Sequence, residues 1–200
     1  MSVDIVYETH SLTEDNEQGI ATGWLDGRLS ARGRALAEEL GQRRRSDGIA
    51  VVFTSDLGRA VETAEIALKG SGIRGVQDAR LHECNYGQHN GLPTAQLSAE
   101  RMRHIDVAYP DGESSRQAVE RANAFLTDAL REWDGARVAL SGHVATRGAL
   151  DYLLVGVSLE DRVRAPSTGE RAGRIPCPLA GLLLEAASAA LHDLFPEHVP

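Results

Sequence analysis

Four side chains suited to acid–base or anion-binding chemistry follow segments that resemble buried strands. His10 comes soon after VDIVY, and Arg59 comes soon after IAVVFTS at residues 49–55. Glu83 ends the segment GVQDARLHE, and His143 ends ARVALSGH. The strands of a parallel α/β sheet meet with their carboxyl ends at one edge, where ligand sites form. The pattern therefore predicts that these four side chains share one pocket, although polar residues at strand ends also occur for solubility.

Segments with apolar residues at helical spacing connect these strands. Ser30 is the predicted N-cap of the first helix, and Gly70 and Gly72 are the predicted stop signals of the second. Helices are expected over residues 29–45, 56–70, 112–133 and 145–157, with a short one near residues 95–104. Strands that alternate with helices predict a three-layer α/β/α sandwich with a mostly parallel central sheet.

Composition limits the class of protein and its partners. The chain has 200 residues, of which 42% are hydrophobic, and we expect residues 1–200 to form one domain because no repeat or low-complexity linker interrupts the pattern. Its formal net charge of -8 argues against a nucleic-acid surface, which requires clustered lysine and arginine. An acidic protein can still bind an anion, but only in a local pocket of positive groups.

No segment indicates secretion or membrane insertion. The start, MSVDIVYETH, lacks the basic and apolar regions of a signal peptide, and the late apolar run at residues 179–195 is broken by charged residues. Cys84 and Cys177 form no CxxC pair, so neither a disulfide framework nor a zinc knuckle is indicated. We expect a cytoplasmic protein with no membrane partner.

The strand-end residues belong to a longer ordered set of motifs. Between residues 3 and 155, five motifs follow one another: VDIVYETHSLTEDN, TGWLDGRLSARGRALAEELG, TSDLGRAVETAEIA, LHECNYGQHNG and VALSGHVATRGAL. In this order they resemble the histidine phosphatase (phosphoglycerate mutase-like) superfamily. The resemblance implies a phosphoglycerate mutase-like fold and a phosphatase that needs no metal or other cofactor. Its substrate would be a small-molecule phosphate monoester, hydrolysed through a phosphohistidine.

The resemblance also implies roles for individual residues. His10 would be the nucleophile that takes the phosphoryl group, and Glu83 the general acid that protonates the leaving oxygen. Arg59 and His143 would hold the phosphate. Further phosphate contacts are implied for Thr13, Asn16 and Arg147.

These residue types suit phosphoryl transfer. A neutral imidazole can attack phosphorus in line, and covalent capture divides a difficult displacement into two easier steps. The transferred group spreads negative charge over its equatorial oxygens, so fixed cationic donors lower the barrier. Glu83 must carry a proton when the ester bond breaks and must then act as the base toward the attacking water.

Each residue also has a purely structural interpretation. His10 could be a strand-end histidine with satisfied hydrogen bonds, and Glu83 a solvated loop carboxylate. Arg147 could be a cation on a helix surface, and Asn16 an ordinary turn residue. The functional interpretation is favoured for His10, because Arg59 and His143 occur with it in matching motifs, and also for Glu83 and Asn16. For Arg147 neither interpretation is preferred.

Two positions depart from the family pattern. The family has arginine directly before the nucleophile and glycine directly after it, whereas this chain has Thr9 and Ser11. Hydrogen bonds to charged groups contribute about 1.5–3 kcal/mol each, which a threonine hydroxyl cannot replace. Three outcomes are possible. Another cation such as Arg28 or Arg147 could contact the phosphate in place of an arginine at position 9, or the rest of the substrate could supply the binding affinity. Alternatively, the protein could have lost catalysis and kept the fold. The remaining motifs are intact, which favours a working phosphatase.

The segment after Ala165 does not resemble the family's closing segment, for which a tryptophan and a returning strand are expected. Residues 166–200 therefore form an atypical tail. An amphipathic helix is predicted over LAGLLLEAASAALHDLF, residues 179–195, packed on the body or on the partner subunit of a homodimer.

Three other functions fit parts of the pattern. A mutase that moves phosphate within a sugar acid uses the same residues, but the family's mutases usually carry longer insertions near the acid. A non-catalytic module that binds a phosphate ligand would explain Thr9. A metal protein built on His10, His82, Glu83 and His143 ranks last, because these residues lack the tight local spacing of metal sites.

Overall fold

Four parallel strands form the centre of the sheet in the computed structural model, which describes residues 2–165 and the backbone of residues 174 and 175. They are β1 Asp4–Thr9, β2 Val51–Thr54, β3 Arg74–Gln77 and β4 Arg137–Gly142. The sheet order is β3-β2-β4-β1, and the short β5, Arg174–Ile175, pairs with β1 in the antiparallel direction. The mostly parallel sheet predicted from the sequence is confirmed.

Helices connect the strands and cover both faces of the sheet. They are α1 Glu14–Glu17, α2 Ala31–Arg44, α3 Gly58–Leu68, α4 Thr94–Glu100, α5 Ser115–Glu132, α6 Val144–Leu150 and α7 Leu159–Arg164. Short 3-10 helices span Ala79–Leu81, Gly87–His89 and Arg101–His104, and the π-helical turn Asp151–Val155 continues α6. The side chain of Ser30 caps α2 by accepting a hydrogen bond from the N–H of Gly33, as predicted.

One face of the sheet carries the larger apolar core. Ile5 and Tyr7 of β1 and Phe53 of β2 pack there with Phe125 of α5, together with residues of α6 and the turn that follows it. The rings of Phe53 and Phe125 meet edge to face, with centroids 5.1 Å apart. Such aromatic pairs stabilise a core beyond the area that they bury.

The opposite face packs against α2 and α3. Val6 of β1, Val52 of β2 and Ala139 of β4 form a smaller cluster there, with Leu68 of α3 against it. Alternate residues of one strand point to opposite faces, so Ile5 and Val6 enter different cores. The α/β/α layering predicted from the sequence is therefore confirmed.

The third predicted strand is shorter than expected. The sequence pattern extends it from Gly75 to Glu83, but β3 ends at Gln77. The side chain of Asp78 accepts a hydrogen bond from the N–H of Arg80 at 2.9 Å and starts a 3-10 turn. This local capping bond competes with strand pairing. Glu83 consequently lies in a loop beyond the sheet.

The helix predicted over residues 179–195 lies outside the described residues, and the single-domain arrangement of residues 1–200 stays a prediction. Among the helices that the structure describes, none has the length and apolar character needed to cross a membrane. The cytoplasmic location also stays a prediction.

We expect Phe125→Ala to lower the free energy of unfolding by about 3–5 kcal/mol, because it leaves a cavity under the sheet. Urea unfolding followed by circular dichroism measures this loss. Leu36→Ala is the matched control, since Leu36 lies on the solvent side of α2 with 36% of its surface exposed, and surface changes cost about 0.5 kcal/mol or less. Equal losses for the two variants would contradict the assigned core.

Candidate active site

The carboxyl ends of β1 and β4 lie side by side. Thr9, the last residue of β1, pairs with Gly142, the last residue of β4, and β2 continues this register on the other side of β4. The N–H of His10 donates to the carbonyl of Gly142 at 2.9 Å. His10 and His143 therefore leave adjacent strands at the same edge, and their ring centroids are 5.1 Å apart.

The imidazole of His10 has one nitrogen fixed by the backbone. Its Nδ1 lies 2.8 Å from the carbonyl oxygen of Ser11. A carbonyl can only accept, so Nδ1 carries the proton and Nε2 carries the lone pair. Burial, followed by the positive charge of Arg59, lowers the pKa of His10 from 6.5 to about 4, against the opposing effect of the Ser11 hydrogen bond. The ring is neutral at pH 7, so Nε2 is available as a nucleophile.

Ser11 ties the turn after β1 to two helices. Its hydroxyl donates to the carbonyl of Gly33 in α2 at 2.6 Å, and its N–H donates to Oγ1 of Thr63 in α3 at 2.9 Å. Ser11 thus anchors the carbonyl that sets the tautomer of His10.

His143 is fully buried between a hydroxyl and a guanidinium. Its Nε2 lies 2.7 Å from Oγ of Ser55, and its Nδ1 lies 3.4 Å from Nη2 of Arg59. A guanidinium only donates hydrogen bonds, so Nδ1 accepts and the proton is on Nε2, which donates to Ser55. Burial, followed by repulsion from a protonated His10 and from Arg59, lowers the pKa of His143 well below 6.5. His143 is therefore a neutral ring in this arrangement.

Arg59 is a buried cation, 2% exposed, whose guanidinium is held by a loop. Nη2 donates to the carbonyl of Gly23 at 2.7 Å, and Nη1 donates to the carbonyl of Leu25 at 3.3 Å. Gly23 has a φ of +56°, and a Cβ there would lie 1.8 Å from Oδ1 of Asn90. Glycine is therefore required to bring this carbonyl to the guanidinium. Burial lowers the pKa of Arg59 from 12.5, and the charge of Glu83 is the largest opposing effect.

Glu83 is 7% exposed, and backbone N–H groups orient both of its carboxyl oxygens. Oε1 accepts from Cys84 at 2.8 Å and from Ala145 at 3.0 Å, and Oε2 accepts from Val144 at 3.2 Å. Two of these donors are the first residues of α6, directly after His143. The predicted acid and the second histidine are thus fixed by the same turn of the chain.

Side chains that the sequence analysis did not identify hold the backbone of Glu83. Its carbonyl accepts from Nε1 of Trp24 at 2.6 Å and from Nη2 of Arg121 at 2.9 Å. Oδ1 of Asn90 accepts from the N–H of Trp24 at 3.3 Å and from the N–H of Tyr86 at 3.1 Å. These contacts join the loop that holds Arg59 to the loop that carries Glu83. They connect residues far apart in the chain, so sequence spacing gives no signal for them.

Thr13 and Asn16 cap the short helix α1. Oγ1 of Thr13 accepts from the N–H of Asn16 at 3.0 Å, and Oδ1 of Asn16 accepts from the N–H of Thr13 at 3.1 Å. This reciprocal capping box fixes the loop that follows His10. A contact of either side chain with phosphate stays a prediction.

Arg147 lies one turn after His143 on α6. Its Nε donates to Oδ1 of Asp151 at 2.9 Å, and its guanidinium lies 5.7 Å from the ring centroid of Tyr7. These contacts give Arg147 a structural role, and its role at the phosphate stays a prediction. Arg28, the other cation considered in place of an arginine at position 9, is exposed.

The residues of the alternative metal site do not come together as ligands. Within residues 2–165, no three of His10, His82, Glu83 and His143 bring ligand atoms close enough to share an ion. His82 instead contacts Asp56 through Nε2 and packs edge to face against Trp24, with centroids 4.8 Å apart.

The structure therefore places two neighbouring histidines, a buried arginine and an oriented carboxyl group at the end of a parallel sheet. Residues 9–168 match the Histidine phosphatase superfamily (branch 1). The chain is 33% identical over 156 residues to the probable phosphoglycerate mutase GpmB of Citrobacter koseri, covering 74% of this chain and 73% of that protein. The chain belongs to the histidine phosphatase superfamily.

Solved structures agree with this assignment. YhfR of Bacillus stearothermophilus aligns with a TM-score of 0.75 at 25% identity, covering 82% of this chain and 86% of that one. A mycobacterial glucosyl-3-phosphoglycerate phosphatase aligns with a TM-score of 0.72 at 25% identity, covering 84% of this chain and 86% of that one. The predicted phosphoglycerate mutase-like fold is confirmed, and the neighbours are of phosphatase and mutase type.

We expect the imidazole of His10 to titrate with a midpoint near pH 4 in the folded protein, because burial and Arg59 disfavour the imidazolium. As the pH falls through this midpoint, Nε2 gains a proton and loses its lone pair. Nitrogen NMR of histidine-labelled protein measures both the midpoint and the tautomer, and His10→Asn assigns the signal. The unfolded chain in urea is the control, with an expected midpoint near 6.5. A midpoint near 6.5 in the folded protein would contradict the assignment.

Proposed function

We propose that this chain is a phosphatase that hydrolyses a small-molecule phosphate monoester through a phosphohistidine on His10. The observation that carries the proposal is the tautomer of His10, in which the Ser11 carbonyl holds the proton on Nδ1 and leaves the lone pair on Nε2. Arg59, His143 and Glu83 lie around the same edge of the sheet and complete the catalytic set.

In the first step, Nε2 of His10 attacks phosphorus, and the bond from phosphorus to the ester oxygen breaks. Glu83 gives its proton to that oxygen, so the alcohol leaves as a neutral molecule. The backbone N–H groups of Val144 and Ala145 keep the carboxyl group oriented through this exchange.

In the second step, water attacks phosphorus, and the bond to Nε2 of His10 breaks. The Glu83 carboxylate takes a proton from this water, and inorganic phosphate leaves. His10 regains its lone pair and Glu83 its proton, so the cycle closes without a metal.

The phosphoryl group changes the charge balance of the buried residues. Arg59 bonds only to neutral carbonyls and to a ring nitrogen among the hydrogen bonds of the described residues. An anion beside Arg59 offsets the buried charge of its guanidinium, and His143, whose Nδ1 accepts from Nη2, orients that guanidinium. Thr13, Asn16 and Arg147 are the further phosphate contacts that the proposal assigns.

A cavity that borders Glu83 supports a small substrate. Its volume is about 70 Å³, and it extends from Glu83 between Tyr86, Arg101, Tyr109 and Val144. The leaving alcohol departs on the Glu83 side, because this residue donates the proton. Most of the cavity wall is apolar, and Tyr86, Arg101 and Tyr109 add polar groups, so an alcohol with both apolar and polar parts suits it.

A mutase is the second candidate function. The relative from Citrobacter koseri is named a probable phosphoglycerate mutase. The first step is common to both reactions, and the difference lies in the fate of the phosphoryl group. A mutase returns it to the bound alcohol, whereas a phosphatase transfers it to water.

We expect His10→Ala to lower the hydrolysis of p-nitrophenyl phosphate by about 1000-fold or more, because it removes the nucleophile. Rapid quenching of the unaltered chain with radiolabelled ester should trap a protein-bound phosphate that acid releases and alkali does not, and His10→Ala should lack it. His198→Ala, a histidine beyond the segment that matches the family, is the control and should keep both properties. A labelled intermediate that persists in His10→Ala would refute the proposed nucleophile.

The same preparation separates the two candidate functions. Incubation with 3-phosphoglycerate, followed by assays of inorganic phosphate and of 2-phosphoglycerate, shows where the phosphoryl group goes. Release of inorganic phosphate from phosphate esters supports the phosphatase, and isomer formed faster than free phosphate supports the mutase. Phosphate binding without either product supports a non-catalytic module.

We expect Thr9→Arg to tighten inhibition by inorganic phosphate roughly tenfold to hundredfold, the range that a charge-assisted hydrogen bond supplies. Thr9 is half-buried and directly precedes His10 at the sheet edge. Thr9→Gln, a long uncharged side chain, is the control and should leave the inhibition constant nearly unchanged. If Thr9→Arg also has no effect, the position does not reach the phosphate or another cation already serves it.

A further inference from the structure

We infer that His89, Glu100 and His104 form a binding site for a divalent transition metal, best suited to Zn²⁺, in the loop that follows Glu83. One ligand atom from each side chain can be chosen so that all three lie within 4.8 Å of one another. Nδ1 of His89 lies 3.5 Å from Oε2 of Glu100. The three residues are half-buried, so the site is open to ions from solution and still sheltered by protein.

The ligand types and spacings fit zinc. Zinc binds imidazole nitrogen and carboxylate oxygen at about 2.0–2.2 Å in tetrahedral geometry, which places neighbouring ligand atoms about 3.3 Å apart. The His89–Glu100 pair already has nearly this separation. The ligand atoms of the cluster lie within 4.8 Å of one another, so metal binding requires only small movements of the side chains. Two imidazoles and one carboxylate leave a fourth position for water.

His104 is oriented for metal binding by its neighbours. Its Nδ1 lies 3.0 Å from the carbonyl oxygen of Val107, so Nδ1 carries the proton and Nε2 is the ligand atom. Backbone carbonyls commonly fix metal-binding histidines in this way. The ring also stacks on Tyr109, with centroids 3.8 Å apart and planes inclined by 20°.

His89 supplies an independent observation. Its Nδ1 is buried and makes no hydrogen bond within the part of the chain that the structure describes, although Glu100 lies near. A buried ring nitrogen without a partner costs free energy, and a metal ion would satisfy it. The ring meets Tyr109 edge to face at 5.6 Å, so the same tyrosine supports both histidines.

The site braces a wall of the cavity that borders Glu83, which the proposed function assigns to the leaving alcohol, and it does not take part in the chemistry. Its ligands join the 3-10 turn Gly87–His89 to α4 and to the 3-10 helix that follows α4. Tyr109 and Arg101 of this region also line the cavity beside Glu83. Bound metal would hold this wall in one arrangement, whereas the reacting groups His10 and Arg59 contact none of its ligands in the described hydrogen bonds.

Titration of the full-length, tag-free, chelator-treated protein with Zn²⁺ tests the inference, with calorimetry for affinity and Co²⁺ absorption for coordination. We expect one high-affinity ion per chain and a rise in thermal midpoint on Zn²⁺ addition. His89→Gln, Glu100→Gln and His104→Gln should each weaken Zn²⁺ binding by about 100-fold or more, since even outer-sphere partners contribute about 10–100-fold. Circular dichroism establishes that each variant is folded.

The tail histidines provide the matched control. The double variant with His192→Ala and His198→Ala should bind Zn²⁺ as tightly as the unaltered chain, because these residues lie outside the cluster. Absence of stoichiometric binding would overturn the inference. Binding that survives His89→Gln and His104→Gln, or that disappears only in the tail variant, would overturn it as well. Hydrolysis of p-nitrophenyl phosphate by the metal-free protein is measured in parallel, so a failed metal site and a failed phosphatase are distinguished.

Discussion

A buried guanidinium that bonds to neutral acceptors is the interaction on which the site depends. Arg59 is held by the carbonyls of Gly23 and Leu25 and faces the ring of His143. Burying a cation without a counter-ion in direct contact costs several kcal/mol, which an anion at the site would offset. The same charge helps to keep His10 and His143 neutral. A chain with a net charge of -8 thereby holds one buried positive group at which an anion is favoured.

Two sets of backbone contacts fix the positions of His143 and Glu83 near this buried charge. The junction of β4 and α6 supplies His143 and, with its next two residues, the N–H groups that orient Glu83. On the opposite side, Trp24 and Arg121 fix the carbonyl of Glu83. The carboxyl group is therefore held from both its side chain and its backbone, although it lies in a loop. Positioning of this kind matters because proton transfer requires hydrogen-bonding distance in the reacting complex.

Periodicity and strand ends were sufficient to predict the layered fold, the Ser30 cap and the proximity of His10 to His143, because parallel topology alone brings strand ends together. The predicted end of β3 was wrong, since the Asp78 cap is a local hydrogen bond that an apolar pattern does not show. The tautomers of the two histidines and the contacts of Trp24 could not be predicted. They depend on partners that only folding brings near, such as the carbonyl of Glu83, 59 residues away from Trp24.

The amide of Asn90 carries a consequence for how this protein can diversify. Its Oδ1 accepts hydrogen bonds from the backbone N–H groups of Trp24 and Tyr86. This single atom therefore connects the loop around Arg59 to the loop around Glu83. The segment from Thr94 to His104 lies outside these two hydrogen bonds, so a change of sequence there leaves the connection between the two loops in place. Exposed side chains of this segment can therefore vary while Arg59 keeps its carbonyl contacts and Glu83 keeps its N–H donors.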